Sequence, residues 1–229
     1  CLMNSYTYFM VDLGALSIPL IFSFHHKIRF NKSLKSFFLA TFLVSIPFLI
    51  WDIIFTKYSI WGFDSDYLCG LNLFGLPLEE YLFFICIPYA CVFTYFSIKK
   101  LWSHKFIKHS QTITYILLGF SLLMLAINYD KAYTLCTFLL LSSFLIYLIF
   151  IKAQWVNHFY FSYLILLIPF SITNGILTGS GLEKPIVWYD NAENMGIRLG
   201  TIPVEDVFYG MLLILSIVYI FEQLENKKK

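Results

Sequence analysis

Pro77-Leu78-Glu79-Glu80-Tyr81-Leu82-Phe83-Phe84 opens an apolar run that continues to about residue 98, and Pro203-Val204-Glu205-Asp206-Val207-Phe208-Tyr209 opens another that continues to about residue 221. Each stretch sets a proline and two acidic residues directly in front of a segment long enough to cross a bilayer as a helix, which takes about 20 mostly apolar residues. Five further runs lie at about 3–24, 36–55, 112–129, 132–151 and 158–177. This pattern predicts an all-α membrane protein of seven transmembrane helices. Pro19, Pro47, Pro88 and Pro169 fall inside the runs. Spanning helices accept them because neighbouring groups satisfy the freed carbonyl.

Composition agrees. Of 229 residues, 59% are hydrophobic and 13% charged, against roughly 45–50% and 25% in soluble domains. Mean hydropathy is +0.73. Disorder, which needs low hydrophobicity and high charge, is excluded, and a soluble domain could not cover this much apolar surface. A net charge of +2 offers no nucleic-acid partner. Cys86, Cys91 and Cys136 lie within apolar runs and read as small apolar residues. Cys1 reads as an edge rather than a lipidated start, with Met3 a native start and no removable signal peptide. His25, His26, His104, His109 and His158 lie in or near the inner loops and read as interfacial.

The cations sort by loop. Lys27, Arg29, Lys32, Lys35, Lys99, Lys100, Lys105, Lys108, Lys152, Lys227, Lys228 and Lys229 fall on one side, and Lys57, Lys131, Lys184 and Arg198 on the other. The positive-inside rule puts the N-terminus outside and the C-terminus in the cytoplasm, consistent with a bacterial inner membrane.

The two opening stretches belong to a longer match at an offset of 126 residues. Phe63, Asp64, Gly70, Leu73, Pro77, Glu79 and Glu80 align with Tyr189, Asp190, Gly196, Leu199, Pro203, Glu205 and Asp206, and Trp61 with Trp188 after a one-residue slip. The expected organisation is two parallel three-helix repeats, residues 1–100 and 132–229, joined by a connecting helix in 101–131. Equivalent helices then run the same way, so both acidic pairs meet at one outer face of the bundle.

Those carboxylates have a modest explanation: proline and acidic residues favour a helix N-terminus. Two copies at matched positions, each before a membrane run, point instead to a reactive site. Adjacent carboxyls repel, so one of a close pair keeps its proton, and a neutral acid beside a carboxylate can deliver and remove protons. Glu79, Glu80, Glu205 and Asp206 are therefore the candidate catalytic residues. Tyr81, Phe83, Phe84, Phe208 and Tyr209 lie within two turns of them, and aromatic faces shelter a cation. Lipid-facing aromatics are the plain alternative for any one of these. Asp12 and Asp52 also lie within runs, with Asn174 at the position of Asp52.

No G-x-G-x-x-G follows a strand, so a dinucleotide site is unsupported. The last run lacks a lysine for a retinal Schiff base. Two other readings use the same residues. A metal-dependent membrane prenyltransferase would use Asp64, Asp66, Asp190 and Glu193 for Mg²⁺ and diphosphate, but basic charge beside them stops at Arg198. A proton-coupled transporter suits parallel repeats and intramembrane acids, but the acids sit at helix ends.

With these motifs in view, the chain resembles the membrane-integral lycopene cyclase family, which includes bacterial two-subunit and fused cyclases and the cyclase domain of fungal fused enzymes. Supporting stretches are Pro47-Phe48-Leu49-Ile50-Trp51-Asp52 and Val187-Trp188-Tyr189-Asp190-Asn191-Ala192-Glu193-Asn194. The likeness spans nearly the whole chain and is nearest to the fused two-repeat bacterial form. It implies conversion of the linear ends of lycopene and other linear carotenoids to β-rings, with no metal, flavin or nicotinamide. Family functional residues map to Pro77, Glu79, Glu80, Pro203, Glu205 and Asp206, and the expected substrate wall adds Tyr81, Phe83, Phe84, Phe208, Tyr209, Asp52, Trp61 and Trp188. The expected partners are the carotenoid and the lipid bilayer, with self-association left open.

Overall fold

Residues 4–102 and 110–228 are described by a computed structural model. Readings that fall on Cys1, Met3, His104, Lys105, Lys108, His109 and Lys229 lie outside them. Seven helices are present among the described residues: α1 (Thr7–Phe22), α2 (Leu34–Lys57), α3 (Leu78–Leu101), α4 (Ser110–Ile127), α5 (Ala132–Phe150), α6 (Val156–Leu177) and α7 (Val204–Asn226). Six are long and apolar enough to cross a membrane. The first, at 16 residues, rises about 24 Å at 1.5 Å per residue and falls short of a hydrocarbon core of about 30 Å. Its ends are trimmed by a single 3₁₀ turn at Asn4–Tyr6 and by Ser23, whose hydroxyl donates back to the Pro19 carbonyl. All four run-interior prolines lie inside helices.

The helices form because a chain in hydrocarbon must pair its backbone groups within itself. Their outward faces fit that solvent: Phe38, Phe42, Ile46, Ile50 and Ile54 form an exposed apolar stripe at four-residue spacing along α2. Inward faces make the core. At one end of the bundle Phe30 meets Tyr89 and Phe93 edge to face, as Phe37 meets Tyr89, and Phe30 packs at a tilt on Phe37 and Phe221. Beside them Lys99 pairs with the buried Glu222, which also accepts from the Tyr95 hydroxyl.

Packing follows a reciprocal scheme. α3 lies against α1 and α6, while α7 lies against α5 and α2. Each acid-bearing helix therefore touches one helix that precedes α4 and one that follows it. α4 packs chiefly on α5 and stays largely exposed.

Short strands, which the run pattern did not foresee, shape the loops after α2 and α6: β1 (Trp61–Phe63), β2 (Asn72–Leu73), β3 (Leu76–Pro77), β4 (Val187–Tyr189), β5 (Arg198–Leu199) and β6 (Ile202–Pro203). β2 and β3 form a hairpin with Asn72 opposite Pro77, and β5 and β6 form one with Arg198 opposite Pro203, each pair shifted by 126 residues. β1 and β4 join the two loops as an antiparallel pair, with Gly62 opposite Trp188. Those two are themselves 126 apart. A Cβ on Gly62 would stand 2.3 Å from the Trp188 ring, so the indole lies where only glycine leaves room.

Candidate active site

The loops before α3 and α7 fold their motifs the same way. The Asp64 carboxylate accepts from the Asp66 N–H at 2.9 Å, and Asp190 accepts from the Ala192 N–H at 2.9 Å. These are Asx turns. Gly70 and Gly196 then take left-handed conformations, φ 85° and 70°, which glycine adopts without penalty. The preceding backbone N–H groups, of Cys69 and Met195, donate to Glu79 Oε1 and Glu205 Oε1, both at 2.6 Å. The hairpin follows, and Pro77 and Pro203 end it as the residues just before α3 and α7, one position earlier than the helix-start reading placed them. The first acid of each pair thus ties the loop to the helix. Its second oxygen, Oε2 of Glu79 and of Glu205, is buried without a hydrogen-bond partner among the described residues.

The second acid of each pair turns into the bundle. Glu80 Oε2 accepts from the Tyr8 hydroxyl of α1 at 2.6 Å, and its carboxyl is in hydrogen-bond contact with that of Asp52 on α2. Asp52 Oδ1 also accepts from the Tyr209 hydroxyl of α7 at 3.0 Å. Asp206 Oδ1 accepts from Tyr133 of α5 at 2.6 Å, and its Oδ2 from Asn174 of α6 at 2.7 Å and Tyr189 of β4 at 3.0 Å. Asp52, Glu79, Glu80, Glu205 and Asp206 are all at most 7% exposed. Tyr189 lies in a loop strand, where burial first and the Asp206 charge second push its phenol well above the usual range. It therefore stays a neutral O–H donor.

Aromatic rings fill the space between the two acids. Trp61, 5% exposed, stands 5.1 Å from Tyr133 and 6.2 Å from both Tyr189 and Tyr209. Tyr209 in turn packs against Trp51 at 5.1 Å and Phe48 at 5.3 Å. Such a ring of π-faces at a buried site attracts positive charge.

Not every expected wall residue joins this centre. Phe84 packs on Phe48, and Phe83 on Tyr8 and Phe84. Tyr81 points to the hairpin, where its hydroxyl donates to the Leu73 carbonyl. Phe208 stacks on Phe120 of α4 and meets Phe138 of α5. Trp188 covers Gly62 and lines a cavity of about 330 Å³ with Tyr189 and Arg198.

Tyr8, Tyr133 and Tyr189 were missed as site residues. Tyr8 and Tyr133 are each the second residue of their helix, 125 apart, and aligning the first and fifth runs with a one-residue slip would have matched them. Asp12, 0% exposed on α1, has both carboxyl oxygens buried without a partner among the described residues.

The loop acids suggested for Mg²⁺ have other work. Asp64 and Asp190 hold Asx turns, Glu193 accepts from the Ala132 N–H, and Asp66 pairs with Lys184 at 3.2 Å. That hydrogen bond holds the Lys184 ammonium above its ordinary pKa. Among the described residues no three His, Cys, Asp or Glu are grouped to hold a metal.

Comparison with known proteins points one way. The sequence model of the family described as Lycopene cyclase matches residues 5–98 and 130–224, well over half of the chain. A stretch of 92 residues, 40% of this chain, is 28% identical to a bifunctional lycopene cyclase/phytoene synthase of Podospora anserina and spans 15% of that relative's length. No solved structure matches.

Proposed function

The chain belongs to the lycopene cyclase family, and from that premise we propose that it closes the linear ends of lycopene, and of other linear carotenoids, into β-rings within the membrane. The observation that carries this reading is the pairing of two buried acids, Glu80 and Asp206, across an aromatic enclosure centred on Trp61.

The reaction is acid–base chemistry. A carboxyl proton adds to the terminal double bond and leaves a tertiary cation. The neighbouring double bond attacks that cation, and one carbon–carbon bond closes the ring. The cation moves to the ring carbon left behind, and a carboxylate removes a proton to form the ring double bond. Substrate and product are isomers, so the enzyme is an isomerase or intramolecular lyase, and no electron carrier is required. Trp61, Tyr209, Tyr189 and Tyr133 would exclude water, which would otherwise trap the cation as an alcohol.

We assign residues 1–100 and 132–229 to two parallel repeats, with 101–131 as connector. Support comes from Asx turns, left-handed glycines, carboxylate clamps and hairpins that recur 126 residues apart. The cation distribution supports an N-terminus outside and a C-terminus in the cytoplasm.

The test is expression in cells that accumulate lycopene. Colour should turn from red to orange-yellow, with cyclic products on chromatography. Glu79→Gln, Glu80→Gln, Glu205→Gln and Asp206→Asn should each reduce cyclic product with the protein still inserted. Full activity in the variant carrying all four changes would sink the reading. A Mg²⁺ requirement with diphosphate release would favour a prenyltransferase, and pigment-independent proton flux in proteoliposomes a transporter.

A further inference from the structure

We infer that the two acid clusters have unlike tasks: the hydrogen-bonded pair of Glu80 and Asp52 shares and delivers the proton of ring closure, and Asp206 is the carboxylate that accepts one. This rests on the cyclisation reading above and goes beyond it by dividing Glu80, Asp52 and Asp206 between roles.

The argument starts from what each acid touches. Ionised carboxylates have no hydrogen to donate. Asp52 and Glu80 are in hydrogen-bond contact with each other, so the bond between them requires one proton. The remaining contacts of the pair, Tyr8 to Glu80 and Tyr209 to Asp52, are donated by hydroxyls. The pair therefore holds one proton and one negative charge, stabilised from both ends. Asp12 from α1 and Tyr189 from β4 also face it, and Glu79 precedes it on α3.

The matching place in the other half is built differently. Asn174 stands where Asp52 would be, and an amide brings hydrogens rather than a second acid. With Tyr133 and Tyr189 it presents three donors to Asp206. These three hydrogen-bond donors favour the anion of Asp206, against the like charge of Glu205 beside it. Two further exchanges follow the same division: Phe63 and Phe83 hold the positions of Tyr189 and Tyr209. One half is thus equipped to give a proton and the other to take it.

The balance closes over a cycle. The pair loses one proton to the terminal double bond, and Asp206 gains one from the ring. That proton returns to the pair before the next closure. Tyr189 at Asp206 and Tyr209 at Asp52 are the hydroxyls touching the two ends of this route.

The experiment uses the full chain in detergent or lipid, with lycopene as substrate and infrared detection of protonated carboxyl groups. Asp52→Asn copies the arrangement of Asn174. It should lower cyclisation by about 100-fold or more, the usual range for a lost general acid. It should also remove one protonated-carboxyl band. Asp52→Glu should restore both in large part. Asp206→Asn should abolish cyclisation while leaving that band in place. If Asp52→Asn does not insert, Glu80→Gln must lose the same band. The inference is overturned if Asp52→Asn cyclises at the parent rate, if the band survives loss of either pair member, or if Asp206→Asn removes it. Failure of the cyclisation reading looks different: the unmodified chain would leave lycopene linear whatever the infrared bands show.

Discussion

Glu205 Oε1 accepts two hydrogen bonds, from the Met195 N–H and the Thr134 hydroxyl, both at 2.6 Å. It shows how adjacent acids divide their work, because neighbouring helix residues point about 100° apart. Glu205 faces the loop and Asp206 the bundle. Glu205→Ala should therefore destabilise the fold by about 1–3 kcal/mol, the range for stranding buried donors, measured as a lower Tm in detergent. Glu205→Gln keeps an acceptor and should hold Tm near the parent value. Gly62 gives a second residue-scale prediction. A Cβ 2.3 Å from the Trp188 ring forces the indole or the strand to move. Gly62→Ala should cost about 1–3 kcal/mol, typical of overpacking, and Trp188→Ala in the same chain should recover most of it. The acids were legible from repetition and position. The tyrosines that hold them were not, because a tyrosine at a membrane helix end usually serves the interface.

Among the elements, the hairpins carry the motif into space. The β2–β3 turn holds Phe74 and Gly75 at φ 51° and 88°, and the β5–β6 turn opens with Gly200 at φ 67°. Two-residue hairpins favour such left-handed positions, but a phenylalanine there is strained by about 1–2 kcal/mol. Phe74 is 77% exposed and makes no core contact that would offset this. Phe74→Gly or Phe74→Asn should raise Tm, by an amount comparable to that strain, without altering product. The helices were readable because hydrocarbon leaves a chain few other ways to pair its backbone. The strands were not, since two or three residues are too few to show a period, and β1 finds its partner more than a hundred residues away. The short α1 shows the limit of the hydropathy reading: the run at 3–24 overstated a helix of 16 residues.

For the whole molecule, the centre belongs to both halves. Tyr209 of α7 reaches Asp52 of α2, and Trp61 of β1 packs on Tyr133 and Tyr189. Residues 1–102 or 110–229 expressed alone should give no cyclic product, and the two co-expressed should regain activity. Under the proposed cyclisation, a single shared centre would close the two ends of lycopene one at a time. A time course should show the one-ringed product rising before the two-ringed one. Simultaneous appearance of two-ringed product would count against one centre.

The sequence by itself determined the membrane class, the helix positions within a few residues, the duplicated motif and the positions of the four acids, because apolar length and a repeated spacing can be read along the chain without knowing which segments touch. Only the tertiary structure decided that the first acid of each pair ties down a loop while the second enters the bundle. It also decided that Tyr81 and Phe208 lie apart from the centre, and that Glu80 faces an acid where Asp206 faces an amide. These depend on which helices touch and which way each side chain turns. That is settled by packing α3 against α1 and α6, and α7 against α5 and α2, a choice made between segments far apart in the chain.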